Sequence, residues 1–195
     1  MIKTWANYEI RACISTISNY TALNFISEEK TMLDMHLTEL AAHVLTDFRT
    51  RMLRLATAES CTGGLIAAVL TSVGGSSDVF ERGFVTYSNE AKQEDLGVPA
   101  GLIEAYGAVS EEVARAMAEG TLDNSRADIA LSVTGIAGPG GGSDAKPVGT
   151  VWLGCAKRGQ PTHTERHVFV GDRTAIRQAS VARALQLAQQ AATSI

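Results

Sequence analysis

The chain has 195 residues, 45% hydrophobic and 19% charged, a composition that supports one globular domain with a sizeable core. A formal net charge of -4 gives no electrostatic ground for nucleic acid or an anionic membrane as partner, and no run of about eighteen apolar residues is present to span a bilayer. Cys13, Cys61 and Cys155 are odd in number and lack CxxC spacing, which argues against a disulfide framework or a zinc knuckle and for a reducing cytoplasm.

Residues 1–31 stand apart from the remainder. They carry no sustained helical or strand period, and no basic start followed by an apolar core, so they do not read as a signal peptide. The expectation is an N-terminal extension that lies over the domain or serves as a partner-facing arm, with a single domain over 32–195.

From there the pattern is regular. Leu33, Leu37, Leu40, Val44, Leu45 and Phe48 recur at helical spacing and predict an amphipathic helix. "RLATAES" reads as a buried strand running into a glycine turn, and "LIAAVLTSV" as a helix closed by Gly74 and Gly75. "GFVTYS" is the second strand and "EEVARAMAEGTL" a helix with Ser110 as its N-cap. "DIALSVTG", "GTVWLGCAK" and "ERHVFVG" are the remaining strands, and a final helix from about Asp172 carries Val181, Leu185, Ala188 and Ala192 on one face. This alternation predicts a three-layer α/β/α sandwich around a mostly parallel, mixed sheet of about five strands. Only "RGQPTH" joins the last two strands, too short for a crossover, so they should form a hairpin.

Ligands of open α/β sheets bind beyond the carboxyl ends of the strands, and three loops leave strands there. In "ESCTGG" (59–64), unpaired amides at the new helix N-terminus can hold an anion or a developing oxyanion, and Gly63 and Gly64 allow close approach to the backbone. The same loop reads equally well as a plain cap, with Ser60 or Thr62 bonded to the helix, and it matches neither GxSxG nor SxxK. "TGIAGPGGGS" (134–143) cannot continue a helix or strand and can point successive N–H groups inward as an anion-binding nest, although no GK[ST] follows to make it a nucleotide triphosphate loop. Its plainer reading is a flexible surface loop.

"YSNEAK" (87–92) holds Tyr87 and Lys92, thirty-two positions after Ser60, one βαβ unit on. A lone lysine is ordinarily solvated. To act as a base it must be neutral, whereas an unperturbed lysine has a pKa of about 10.4; bringing that near neutrality costs about 4 kcal/mol of lost stabilisation of the charged form. Tyr87 is a candidate to orient the lysine or relay a proton, or else a half-buried strand aromatic.

"TAESCTGG", "ERGFVTYSNEAK", "GAVSEEVARAMA", "SVTGIAGPGGGSDAKPVGTVW" and "GDRTAIR", in this order, are similar to the CinA C-terminal domain family over roughly residues 33–192. The resemblance implies a nicotinamide-nucleotide amidase that converts nicotinamide mononucleotide to nicotinate mononucleotide and ammonia, in the stand-alone form without the family's molybdopterin-binding-like domain. It implies Ser60 as nucleophile, Lys92 and Tyr87 as its catalytic partners, and Thr62, Gly63 and Gly64 around the reacting amide. Thr134, Gly135, Ile136, Ala137 and Gly138 would line the nucleotide site. Arg173 would bind the 5′-phosphate, unless the Asp172–Arg173 pair serves as a cap or between subunits. Cys61 would pack, because neighbouring side chains leaving a strand point in different directions.

The implied chemistry needs no metal and no cofactor; His36, His43, His163 and His167 lie outside the three loops and read as structural or surface residues. The implied partners are a pyridine nucleotide and a second copy of the chain as a homodimer, with neither nucleic acid nor membrane. A catalytically silent nucleotide-binding or competence- and DNA-damage-associated regulatory module is the alternative reading.

Overall fold

The structure is a computed structural model and describes residues 35–193. The expected N-terminal extension over 1–31, and Leu33 of the first helix, lie outside the described residues.

Helix α1 (Met35–Thr50) buries Leu37, Val44, Leu45 and Phe48, four of the six residues whose spacing predicts it. Strand β1 (Leu55–Glu59) is buried at every position, and helix α2 (Leu65–Thr71) follows it. Strand β2 (Phe80–Val85) leads into α3 (Asn89–Leu96) and α4 (Ala100–Tyr106). Helix α5 (Glu111–Asp123) begins at Ser110, whose Oγ accepts the Val113 N–H at 3.3 Å as expected of an N-cap. Strands β3 (Ile129–Gly135), β4 (Thr150–Lys157) and β5 (His163–Val168) complete the sheet, and α6 (Arg173–Thr193) is the last element of the described residues. No helix of the described residues is long and apolar enough to cross a membrane.

The five strands run in the order β2-β1-β3-β4-β5. β1 pairs in parallel with β2 and β3, while β4 is antiparallel to both β3 and β5, the last two forming the expected hairpin. The sheet is thus mixed and mostly parallel as expected: four of its five strands run the same way, and β4 alone is reversed, antiparallel to both of its neighbours. The return to antiparallel begins at β3–β4, where no helix intervenes and the glycine-rich segment simply reverses the chain.

Both faces of the sheet are covered. Ala56, Ala130 and Ala156 pack with Ala118 and Leu122 of α5, and Ala58 packs with Val113, Met117, Leu96 and Ile103. On the other side α6 packs on β3 and β4, with α1 and α2 against it. Gly120 of α5 is required by this packing: a Cβ there would lie 1.9 Å from the Leu96 carbonyl oxygen. That close approach seats α3, the helix that carries Lys92, against the body of the domain.

Candidate active site

The three loops singled out in the sequence leave the carboxyl ends of β1, β2 and β3, which lie side by side. Ser60, the first residue past β1, donates its N–H to Val133 O of β3 at 2.9 Å, and Thr86 past β2 donates to Glu59 O at 2.9 Å. The serine is therefore wedged between the two flanking strand ends.

Lys92 is not in a loop, as the reading of "YSNEAK" supposed, but in the first turn of α3. Ser88 is the N-cap of that helix, its Oγ accepting the Ala91 N–H at 3.0 Å. The helix is short and polar, and Lys92 and Leu96 are its only buried residues. Lys92 is 1% exposed, and its Nζ lies 3.1 Å from Ser60 Oγ, 2.9 Å from Thr86 O and 3.2 Å from Ser88 O. Burial lowers its pKa below the usual lysine value, partly opposed by Cys61 and Glu90. A neutral amine has two N–H donors and one lone pair. With the donors on the Thr86 and Ser88 carbonyls, the lone pair is left for the Ser60 hydroxyl. This is the arrangement a general base for a serine requires.

Cys61, next in sequence, is 6% exposed, and burial pushes its thiol up to about 11. It is protonated at neutral pH and correspondingly unreactive.

The turn itself differs from both sequence readings. Neither Ser60 nor Thr62 caps α2; the N-cap is Gly64, without a side-chain bond. The helix amides are instead taken by the buried carboxylate of Glu59, which accepts from Gly64 N and Ile66 N at 3.0 Å and Ala67 N at 2.9 Å. Those amides are closed to a substrate anion or an oxyanion. The N–H groups of Cys61 and Thr62 are engaged in none of these bonds, nor in the turn bonds Gly63 N to Ser60 O and Leu65 N to Thr62 O. Gly63 and Gly64 have φ of 59° and 92°, a backbone conformation in which a side chain is strained. Thr62 is fully buried with Oγ1 unpartnered, and its carbonyl accepts Arg177 Nη2 at 2.6 Å. Arg177, a turn beyond Arg173 on α6, escaped the sequence reading; its only signal is the i, i+4 spacing in "GDRTAIR".

Arg173 is exposed at the start of α6. It donates through Nη1 to Gly138 O at 2.9 Å and through Nη2 to the Tyr87 hydroxyl at 3.1 Å. The capping role belongs to Asp172 alone, whose Oδ1 accepts the Ala175 N–H at 2.9 Å. Tyr87 is 61% exposed and its hydroxyl meets Arg173, whereas the lysine is held by the backbone carbonyls on either side of the tyrosine.

The glycine-rich segment starts inside the sheet. Thr134 is buried and its Oγ1 donates to Ala108 O at 2.7 Å, while Ile136 N donates to Thr150 O at 2.8 Å. Ala137 is buried, and the segment turns outward from Gly138. Its far end is tied down by Lys146, whose Nζ donates to Tyr106 O and Val109 O.

The family model for the CinA C-terminal domain matches residues 37–192. Nicotinamide-nucleotide amidohydrolase PncC of Escherichia coli K12 is 50% identical over 155 residues, 80% of this chain and 94% of that protein. A CinA-like protein of Akkermansia muciniphila is 58% identical over 133 residues, 68% of this chain but 32% of its own length, so the chain spans about a third of that longer relative. The crystal structure of a competence/damage inducible protein from Agrobacterium tumefaciens superposes with a TM-score of 0.81 at 46% identity, covering 85% of this chain and all of the other.

Proposed function

The chain belongs to the CinA C-terminal domain family, and from that premise we propose that it is a nicotinamide-nucleotide amidohydrolase, converting nicotinamide mononucleotide to nicotinate mononucleotide and ammonia through Ser60 and Lys92. The observation that carries the reading is the contact between a buried lysine amine and a serine hydroxyl, with two carbonyls occupying the amine's N–H groups.

Ser60 Oγ attacks the carboxamide carbon as its proton passes to Lys92 Nζ. The carbonyl oxygen becomes an oxyanion, which we assign to the backbone amides at the tip of the turn, Cys61 and Thr62, because those at the start of α2 are taken by Glu59. The intermediate collapses with cleavage of the C–N bond, and Lys92 returns the proton to the departing ammonia. Water then adds to the acyl-serine ester and gives a proton to Lys92. The ester C–O bond breaks as Lys92 returns the proton to Ser60, and the carboxylic acid leaves and ionises, its proton passing to the released ammonia. A silent regulatory module would have no use for a desolvated lysine on a serine, whose burial costs stability.

Arg173 and the segment Thr134–Gly138 form the proposed nucleotide site, with the exposed guanidinium for the 5′-phosphate and Tyr87 steadying it. The free, buried thiols of Cys61 and Cys155 suit the reducing cytoplasm inferred from the sequence. We also propose that the chain acts as a homodimer, as the family resemblance implies; light scattering that returned a monomer mass across micromolar concentrations would overturn this. The activity is tested by ammonia release from nicotinamide mononucleotide, compared with nicotinamide, NAD and glutamine. Turnover confined to the mononucleotide supports the reading, and none on any of them refutes it.

A further inference from the structure

Glu59 is 0% exposed and takes no part in the steps above. A buried carboxylate is costly unless its oxygens are bonded, and here three backbone amides satisfy it: Gly64 and Ile66 on Oε2, Ala67 on Oε1. Helix α2 has only seven residues, and beyond the packing of Ile66, Val69 and Leu70 its first amides depend on this carboxylate. The chain geometry matters more than the helix. Glu59 precedes Ser60 and its partners follow Gly63, so the carboxylate closes a ring around residues 60–63 and pins both ends of the turn. The turn is also held by Ser60 N on Val133 O of β3 and by Arg177 of α6 on Thr62 O, but neither of these bonds ties its two ends together.

We propose that Glu59 is a positioning residue for Ser60: its side chain, acting through the amides of α2, fixes the turn that keeps the serine hydroxyl on the lysine amine. The inference rests on the reading of Ser60 as nucleophile. It goes beyond that reading in assigning a role to a residue that touches neither the serine oxygen nor the lysine amine. In Glu59→Gln the isosteric amide keeps one acceptor and sets an NH2 group against helix amides that also donate. The turn then loses part of its hold while the core keeps its volume. Glu59→Asp keeps the charge but falls one methylene short. The contacts of Lys92 with Thr86 O and Ser88 O are untouched in both, so the pH dependence of the serine's reactivity should not move.

The test uses wild type, Glu59→Gln and Glu59→Asp, each reacted with a fluorophosphonate probe and followed by intact mass and peptide mapping, with circular dichroism to confirm folding. Each folded variant should reach one label per chain, on Ser60, at an unchanged pH midpoint. The rate should be at least about tenfold below wild type, within the range that displacement by the order of 1 Å produces. Labelling within about twofold of wild type would overturn the proposal. So would a reduced fraction of labelled chains reacting at the wild-type rate, or the failure of both variants to fold, since Glu59 would then serve the fold and not the serine. Ammonia release from nicotinamide mononucleotide by wild type is scored separately. If that fails while Ser60 is labelled, the substrate is wrong and the positioning role stands; if wild-type Ser60 is not labelled, both fall.

Discussion

The hydroxyl of Tyr87 lies 3.1 Å from Arg173 Nη2, a contact between residues 86 positions apart that joins the loop after β2 to the first turn of the last helix. Arg173 also holds Gly138 O, so one guanidinium bridges two of the three loops at the site.

If this arginine binds the substrate phosphate, Arg173→Ala should raise KM for nicotinamide mononucleotide by tenfold or more, about 1.4 kcal/mol or above, with kcat changed only a few-fold. Tyr87→Phe should raise KM more modestly, because only the hydroxyl that steadies the guanidinium is lost. Steady-state kinetics on both variants checks this. A Tyr87→Phe enzyme with normal KM and a collapsed kcat would place the hydroxyl in the chemistry instead.

Ser60 and Cys61 are neighbours with opposite fates. Ser60→Ala should abolish turnover, leaving circular dichroism unchanged. Cys61→Ala should keep most of it, because burial holds the thiol up at about 11 and protonated. Parallel ammonia assays decide the matter, and an inactive Cys61→Ala beside an active Ser60→Ala would reverse the assignment.

Strand β5 is tied to α6 by Glu165, whose carboxylate accepts Arg183 Nε at 2.5 Å and Nη2 at 2.9 Å, with His167 Nε2 at 2.9 Å. Burial alone would raise this carboxyl, but Arg183 and His167 hold it down at about 2. The lowered value means the stabilisation is fully present above the ordinary carboxylate pKa of about 4.3 and is lost as pH falls from there to about 2. Glu165→Gln should lower stability at pH 7 by about 2 kcal/mol, roughly 4–8 °C in Tm, and remove this part of the acid loss. Thermal melts of both proteins between pH 2 and 7, run at about one-unit steps, test it; parallel curves would contradict the assignment.

The order of the strands, the hairpin and the pairing of Ser60 with Lys92 were legible because periodicity, glycine turns and the spacing of one βαβ unit carry them; Arg173 came from the family resemblance alone, and the helices α3 and α4 were not read. The misses have physical causes. Helix α3 has no amphipathic pattern, because the large side chain it buries is a lysine; the Ser88 cap and Gly97 stop were its only marks. Strand β2 lies at Phe80–Val85, three residues before its apolar signal, because its span is set by pairing with β1, which ends at Glu59. Glu59 escaped because a carboxylate at the end of a buried strand is worth having only when the returning helix presents its amides there. That is a fact of three dimensions.

Lys92 is the base on which the proposed chemistry depends, and Lys92→Arg tests that role most directly. Burial lowers the lysine's pKa, so kcat/KM of the wild type should rise with pH and level off below the ordinary lysine value of about 10.4, as the amine loses its proton. Arginine retains the positive charge but stays protonated and cannot accept the serine proton. With nicotinamide mononucleotide saturating, the arginine variant should therefore be almost inactive at every pH. A Lys92→Arg enzyme that kept more than about a tenth of wild-type kcat, a barrier change under roughly 1.4 kcal/mol, would contradict the general-base role.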